Sequence, residues 1–95
     1  MKKTARQYVI VRTYSAGVHA GTLVKRDGKE VVLADARRVW FWKGTNTLHE
    51  IALRGVGDGS KISEPVESIT LTEAIEVIAA TADAERNLRS AVWGK

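Results

Sequence analysis

No cysteine occurs among the 95 residues. A disulfide framework, a thiolate metal site and a thiol nucleophile are therefore all excluded. The two histidines, His19 and His49, lie far apart and without clustered carboxylates, which leaves no ligand spacing for zinc. No serine sits in a nucleophile elbow. The segment Gly55-Val56-Gly57-Asp58-Gly59-Ser60-Lys61 superficially looks like a phosphate loop, but it lacks the G-x-x-x-x-G-K-[ST] order between a strand and a helix. Glu73 and Glu76 form a spaced carboxylate pair suited to solvation or an ion pair, and surface pairs contribute little. Apolar runs are too short to span a membrane, and no apolar stretch follows the basic start Met1–Arg6. The expectation is a soluble, non-secreted, non-enzymatic chain without a cofactor, working in a reducing cytoplasm.

What is present is a basic half and an aromatic cluster. Residues 1–43 carry ten Lys/Arg against three Asp/Glu, and residues 44–95 carry five against eight. The cationic excess suits an anionic partner or a solubilising surface. Hydrophobic content is 44%, with alternating and periodic segments, which argues for one folded domain over residues 1–95. Residues 1–6 read as a basic arm and residues 55–65, with three glycines and the one proline, as a flexible loop. A chain this short buries roughly 60–65% of the surface its unfolded form exposes, so a homo-oligomer would help it.

The fold class expected is α+β: a small antiparallel sheet of about five strands with a short helix and a C-terminal helix. Gln7–Tyr14 is dense in β-branched and aromatic residues, a strand signature. Ser15–Gly21 reads as a turn or a bulged strand entry, and Thr22–Lys25 as the second strand. Asp27-Gly28 supplies the positive φ of a tight hairpin, and Glu30–Ala34 returns. Asp35 breaks the pattern before a fourth strand from Ala36. Thr47 with Glu50 matches a capping box, and Gly55 would stop the short helix. Residues 66–81 fit both a helical and a strand period; their β-branched content favours one long strand, with a bulge to excuse Glu73. Thr81 would cap the terminal helix, with Ala84, Leu88, Ala91 and Val92 as its buried stripe and Gly94 as its end.

The stretch Ala36–Lys43 holds two tryptophans, the one phenylalanine and three cations. As a strand it divides into a face with Arg37, Val39 and Phe41 and a face with Arg38, Trp40 and Trp42. Arg12 and Tyr14 share a parity on the first strand. Guanidiniums beside aromatic rings suit a nucleotide, whose base stacks on an indole or phenol while its phosphates take charge-assisted bonds. Gly17 lets the backbone approach a ligand, Ser15 adds a hydroxyl, and His19 could meet a phosphate when protonated. The competing reading makes Trp40 and Trp42 core or subunit-interface residues with the arginines snorkelling over them.

The segments Tyr8–Gly21 (YVIVRTYSAGVHAG), Gly28–Leu33 (GKEVVL), Ala36–Trp40 (ARRVW) and Leu71–Glu76 (LTEAIE) are similar to a family of small, uncharacterised proteins of tailed phages and prophages. Relatives carry a proline and a cysteine where Ala79 and Ala80 stand here, so no role of that cysteine transfers. The resemblance implies the cytoplasm of a bacterial host as the setting. By analogy with phage sponges for nucleotide signals of host immunity, it suggests a binder that sequesters a cyclic nucleotide or ADP-ribose-type molecule. Arg12, Arg37, Arg38 and Lys43 would hold phosphates; Tyr14, Trp40 and Trp42 would stack; Ser15, Gly17 and His19 would line the site. The alternatives are a DNA- or RNA-binding accessory protein and a protein–protein or virion-assembly module.

Overall fold

β1 (Tyr8–Thr13) is buried on both faces, and the molecule is arranged around it in two layers. The computed structural model describes residues 7–44 and 47–91, so the basic arm over residues 1–6 lies outside the described residues. Val9 and Val11 face inward with Val31, Leu33, Ala36, Leu71 and Ala74, forming a core enclosed by the sheet itself. Tyr8 and Ile10 face the opposite way, into a second core with Val39, Ile51, Ala52, Ile62 and Leu88. The unbroken apolar run Tyr8–Val11 has this meaning: both of its faces are covered.

The other strands are β2 (Val18–Asp27), β3 (Glu30–Phe41), β4 (Lys61–Ile62), β5 (Val66–Leu71) and β6 (Ala74–Ala79); the helices are α1 (Leu48–Arg54) and α2 (Ala82–Ser90). All the pairings are antiparallel, in the order β4-β3-β2-β1-β6, with β5 also on β3. The protein is thus α+β, a six-stranded antiparallel sheet with two helices, the second near the C-terminus. β5 lies at one margin of the sheet and β6 at the other, yet only Thr72 and Glu73 separate them. So short a link cannot bridge a flat sheet. The sheet rolls until its margins approach, and the Ala74 amide donates to the Lys29 carbonyl across the gap at 3.0 Å.

Two elements differ from the sequence expectation for this reason. The stretch 66–81 is not one strand but two, turning a corner at Thr72-Glu73, with Ile75 the extra residue where β6 slips register against β1. The return strand and the Ala36 strand are one twelve-residue strand, β3, kinked at Asp35. Asp35 takes φ 51°, and Asp35 and Ala36 together oppose Gly21, a β-bulge. Gly21 leaves room for the bulge: a Cβ there would sit 3.1 Å from the Ala34 carbonyl oxygen and 3.2 Å from the Ala36 Cα, so the facing backbone would have to give. The hairpin turn falls on Gly28-Lys29, with Gly28 at φ 60° in the first central position, as a type II′ turn requires.

Both N-caps form as the sequence suggests. Thr47 accepts from the Glu50 amide and Thr81 from the Ala84 amide. Gly55, at φ 84°, ends α1. α2 ends at Ser90, earlier than expected, while Val92 and Gly94 lie outside the described residues. The loop over residues 55–65 is tied down rather than free: Asn87 exchanges two hydrogen bonds with the Val56 backbone, the Gly57 amide donates to the Lys43 carbonyl, and β4 pairs with β3. Among the described residues no helix is long and apolar enough to cross a membrane.

Candidate functional site

Past the bulge, β3 returns to strict alternation, and consecutive arginines part company. Arg37 turns toward the helices and is buried. Its Nη1 donates to the carbonyls of Leu88 (2.8 Å) and Arg89 (3.1 Å), its Nη2 to Ala91 (2.6 Å) and its Nε to Ser63 (2.8 Å). The Leu88, Arg89 and Ala91 carbonyls lie at the end of α2, where a helix leaves its last carbonyls without amide partners, and the Ser63 carbonyl comes from the link between β4 and β5. The expected phosphate role for Arg37 therefore does not fit its position, because every described contact of its guanidinium is to backbone oxygen. Arg38 points the other way, exposed. Its backbone is clamped by Ser63, whose Oγ accepts from the Arg38 amide at 2.8 Å and whose amide donates to the Arg38 carbonyl at 2.9 Å.

Arg38, Trp40 and Trp42 form one wall of an open groove of about 370 Å³. The other wall is the turn Ser15-Ala16-Gly17 leading into Val18. Thr13 folds that turn: its amide and its hydroxyl both donate to the Gly17 carbonyl (3.0 and 2.8 Å), and its Oγ1 accepts from the Ala16 amide at 2.8 Å. Gly17 sits at φ 86°, which disfavours any side chain even though open space surrounds the position. Beneath the turn, the His19 Nε2 donates to the Ala16 carbonyl at 2.9 Å. Burial pushes the His19 pKa down, with the backbone bond to Ala16 opposing and the Arg38 charge adding to the depression. The ring is therefore a neutral support for the turn rather than a cation aimed at a phosphate.

The groove thus unites Ser15, Gly17, Arg38, Trp40 and Trp42 from the expected set. Trp40 is half exposed; Trp42 also leans on the helix-side core beside Val18 and Leu48. The remaining residues stand apart. Arg12 lines a neighbouring cavity of about 350 Å³ with Trp42, His49 and Glu76, and its guanidinium is 3.9 Å from the Glu76 carboxylate. Tyr14 projects into solvent, 79% exposed, and does not line the groove. Lys43 lies beyond its end, with its stem beside Gly59 and its backbone bonded to Ser60 and Gly57. The Ser15 hydroxyl donates to Glu73 Oε1 at 3.0 Å, which sets a carboxylate beside this end of the groove.

Sequence reasoning missed Ala16, Val18 and Glu73 here, and Ser63, Val66 and Ile69 on the far side of Arg38. Ala16 and Val18 come with the turn that Thr13 folds, Ser63, Val66 and Ile69 with the pairing of β4 and β5 along β3, and Glu73 with the corner between β5 and β6. Among the described residues no cluster of His, Asp or Glu could hold a metal ion.

The fold and groove define a small α+β sheet domain that carries a basic-aromatic groove. The chain belongs to the family described as "Domain of unknown function (DUF6948)", whose model matches residues 6–88. No curated protein and no solved structure matches the chain.

Proposed function

We propose that the protein is a non-enzymatic binder of a nucleotide-derived anionic small molecule, held in the groove between the Ser15–Gly17 turn and the Arg38–Trp40 strand. One observation carries this reading: a guanidinium without an acceptor among the described residues stands beside two indoles in a single open cavity. A volume of about 370 Å³ falls in the lower part of the range for small-molecule sites, ~300–1,000 Å³. A base stacked on Trp40 would gain ~1–3 kcal/mol, and a phosphate on Arg38 a charge-assisted bond. Trp42, tied to the core, supplies a rigid back wall that costs little entropy to order.

In this reading the phage-like sequence pattern supplies the setting: a binder made in a bacterial cytoplasm that removes a nucleotide signal of host defence. Self-association would add further walls to a shallow groove. Titration with 5′-nucleotides, cyclic nucleotides and ADP-ribose, followed by tryptophan fluorescence and thermal shift, tests the reading. Saturable quenching that Trp40→Ala and Arg38→Ala each abolish is the expected result. Absence of a response to every member of the series refutes it. Binding confined to oligonucleotides, weakening steeply with salt, would instead identify a nucleic-acid interface.

A further inference from the structure

Arg38 belongs to two cavities at once. On one side is the groove with Trp40 and Trp42; on the other is a cavity of about 300 Å³ lined by His19, Ala36, Ser63, Val66 and Ile69. Ala36, Arg38 and Trp40 occupy successive same-face positions of β3. The strand rise places neighbours in this row ~6.6 Å apart, so Ala36 of one cavity and Trp40 of the other flank Arg38 within ~13 Å of strand.

We infer that the ligand of this site has two ring-bearing arms joined through a phosphate or pyrophosphate bridge, the chemical class of a dinucleotide, with the bridge on Arg38. This rests on the nucleotide reading above and extends it to the shape of the molecule. One arm lies against Trp40 in the groove; the other enters the cavity between His19, Val66 and Ile69.

Three observations converge on the bridge position. Of the other arginines near these cavities, Arg37 is held by four carbonyls, and Arg12 lies outside both cavities with its guanidinium 3.9 Å from the Glu76 carboxylate. Arg38 lines both cavities and has no acceptor for its guanidinium among the described residues, while Ser63 fixes its backbone from both sides. The second cavity is mainly apolar, contributed by Ala36, Val66 and Ile69, so it suits a flat heterocycle rather than a second phosphate. His19 adds a neutral ring there, which leaves Arg38 as the cation shared by both sides. A mononucleotide would fill only one side, leaving the other to water.

The experiment compares 5′-AMP with the linear dinucleotide pApA on the wild-type protein and on Val66→Glu and Trp40→Ala. Val66 is half exposed, so a carboxylate at that position leaves the fold intact while placing like charge at the mouth of the second cavity. Thermal melting of each variant confirms this. The dinucleotide should bind about 10-fold or more tightly than the mononucleotide. Val66→Glu should erase that advantage, weakening the dinucleotide about 10-fold more than the mononucleotide, and Trp40→Ala should weaken both ligands. Equal affinity for the two ligands, or a Val66→Glu effect that is the same on both, overturns the two-arm inference and leaves the single-site reading standing. Failure of both ligands to bind overturns the two-arm inference, and the nucleotide reading falls with it only when cyclic nucleotides and ADP-ribose also give no response.

Discussion

The Arg37 guanidinium on β3 reaches across to the end of α2 and donates from Nη1 to the Leu88 carbonyl at 2.8 Å, fastening the helix to the strand that also carries Arg38. A charged side chain almost fully removed from solvent, with no carboxylate among its described contacts, is held by four carbonyl oxygens. Helix C-termini favour such a cation through both hydrogen bonding and the macrodipole.

Arg37→Ala should therefore destabilise the fold by about 3 kcal/mol, since bonds to a charged donor are lost and several buried carbonyls are left unpaired. Arg38→Ala, one residue on, should leave the urea midpoint unchanged and remove nucleotide binding. Chemical denaturation of the two variants side by side distinguishes the neighbours cleanly.

Tyr8 carries a buried hydroxyl with no hydrogen-bond partner among the described residues, and its ring lies 4.8 Å from the Arg89 guanidinium carbon. Burial raises its pKa above 10.0. Tyr8→Phe keeps the cation–π contact and discards an unpaired polar atom, so it should be neutral or stabilising by up to about 1 kcal/mol. Loss of stability on this change would reveal a bond to the hydroxyl.

His19 ties stability to acidity. Its folded pKa lies below the ordinary 6.5, so below that pH the unfolded chain takes up the proton more readily than the native one. Stability should be at its full value above 6.5 and fall as the pH drops through the folded value. His19→Gln, which can still donate to the Ala16 carbonyl, should flatten this slope. Denaturation midpoints across pH 4–8, the interval in which histidine changes charge at about 6.5, give the measurement.

Gly21→Ala should cost about 2 kcal/mol, because the added methyl meets backbone on the bulged strand that cannot yield cheaply. Gly17→Ala should cost about 1–2 kcal/mol through its positive φ alone, since nothing crowds the position. A thermal melt of each variant, together with nucleotide titration of the second, separates crowding from backbone strain.

Glu73 sets an opposing charge near the groove through the Ser15 hydroxyl. Glu73→Gln keeps an acceptor for Ser15 and removes the charge, so nucleotide affinity should rise about two- to five-fold at low salt and less at high salt. Isothermal titration at two ionic strengths checks both parts.

Much of the fold is legible in the residues themselves. The β-branched run at Tyr8, the Gly28 hairpin, the Thr47 and Thr81 caps and the Gly55 stop are local chemistry, and each appears where its pattern places it. The corner at Thr72-Glu73 is not legible, because neither residue is a customary breaker and the bend follows from how the rolled margins meet. The groove is half legible. Parity correctly separates Arg37 from Arg38 and sets Trp40 beside Arg38, but neighbouring arginines are chemically alike until the end of α2 comes into view. Tyr14 and Lys43 satisfied the compositional pattern and were carried elsewhere by the turn after β1 and the end of β3.

The bulge at Asp35 also makes β3 tolerant of a length change at one place. Removing that single residue would straighten the ladder while leaving Arg37 opposite Ala20 and Arg38 opposite His19. An insertion between Ala36 and Arg37 finds no such slack: it would exchange inside for outside, driving the groove-facing cation inward and casting the cation of the helix joint into water. Natural variants that shorten this strand should therefore have lost the kink and kept the arginine pair in phase.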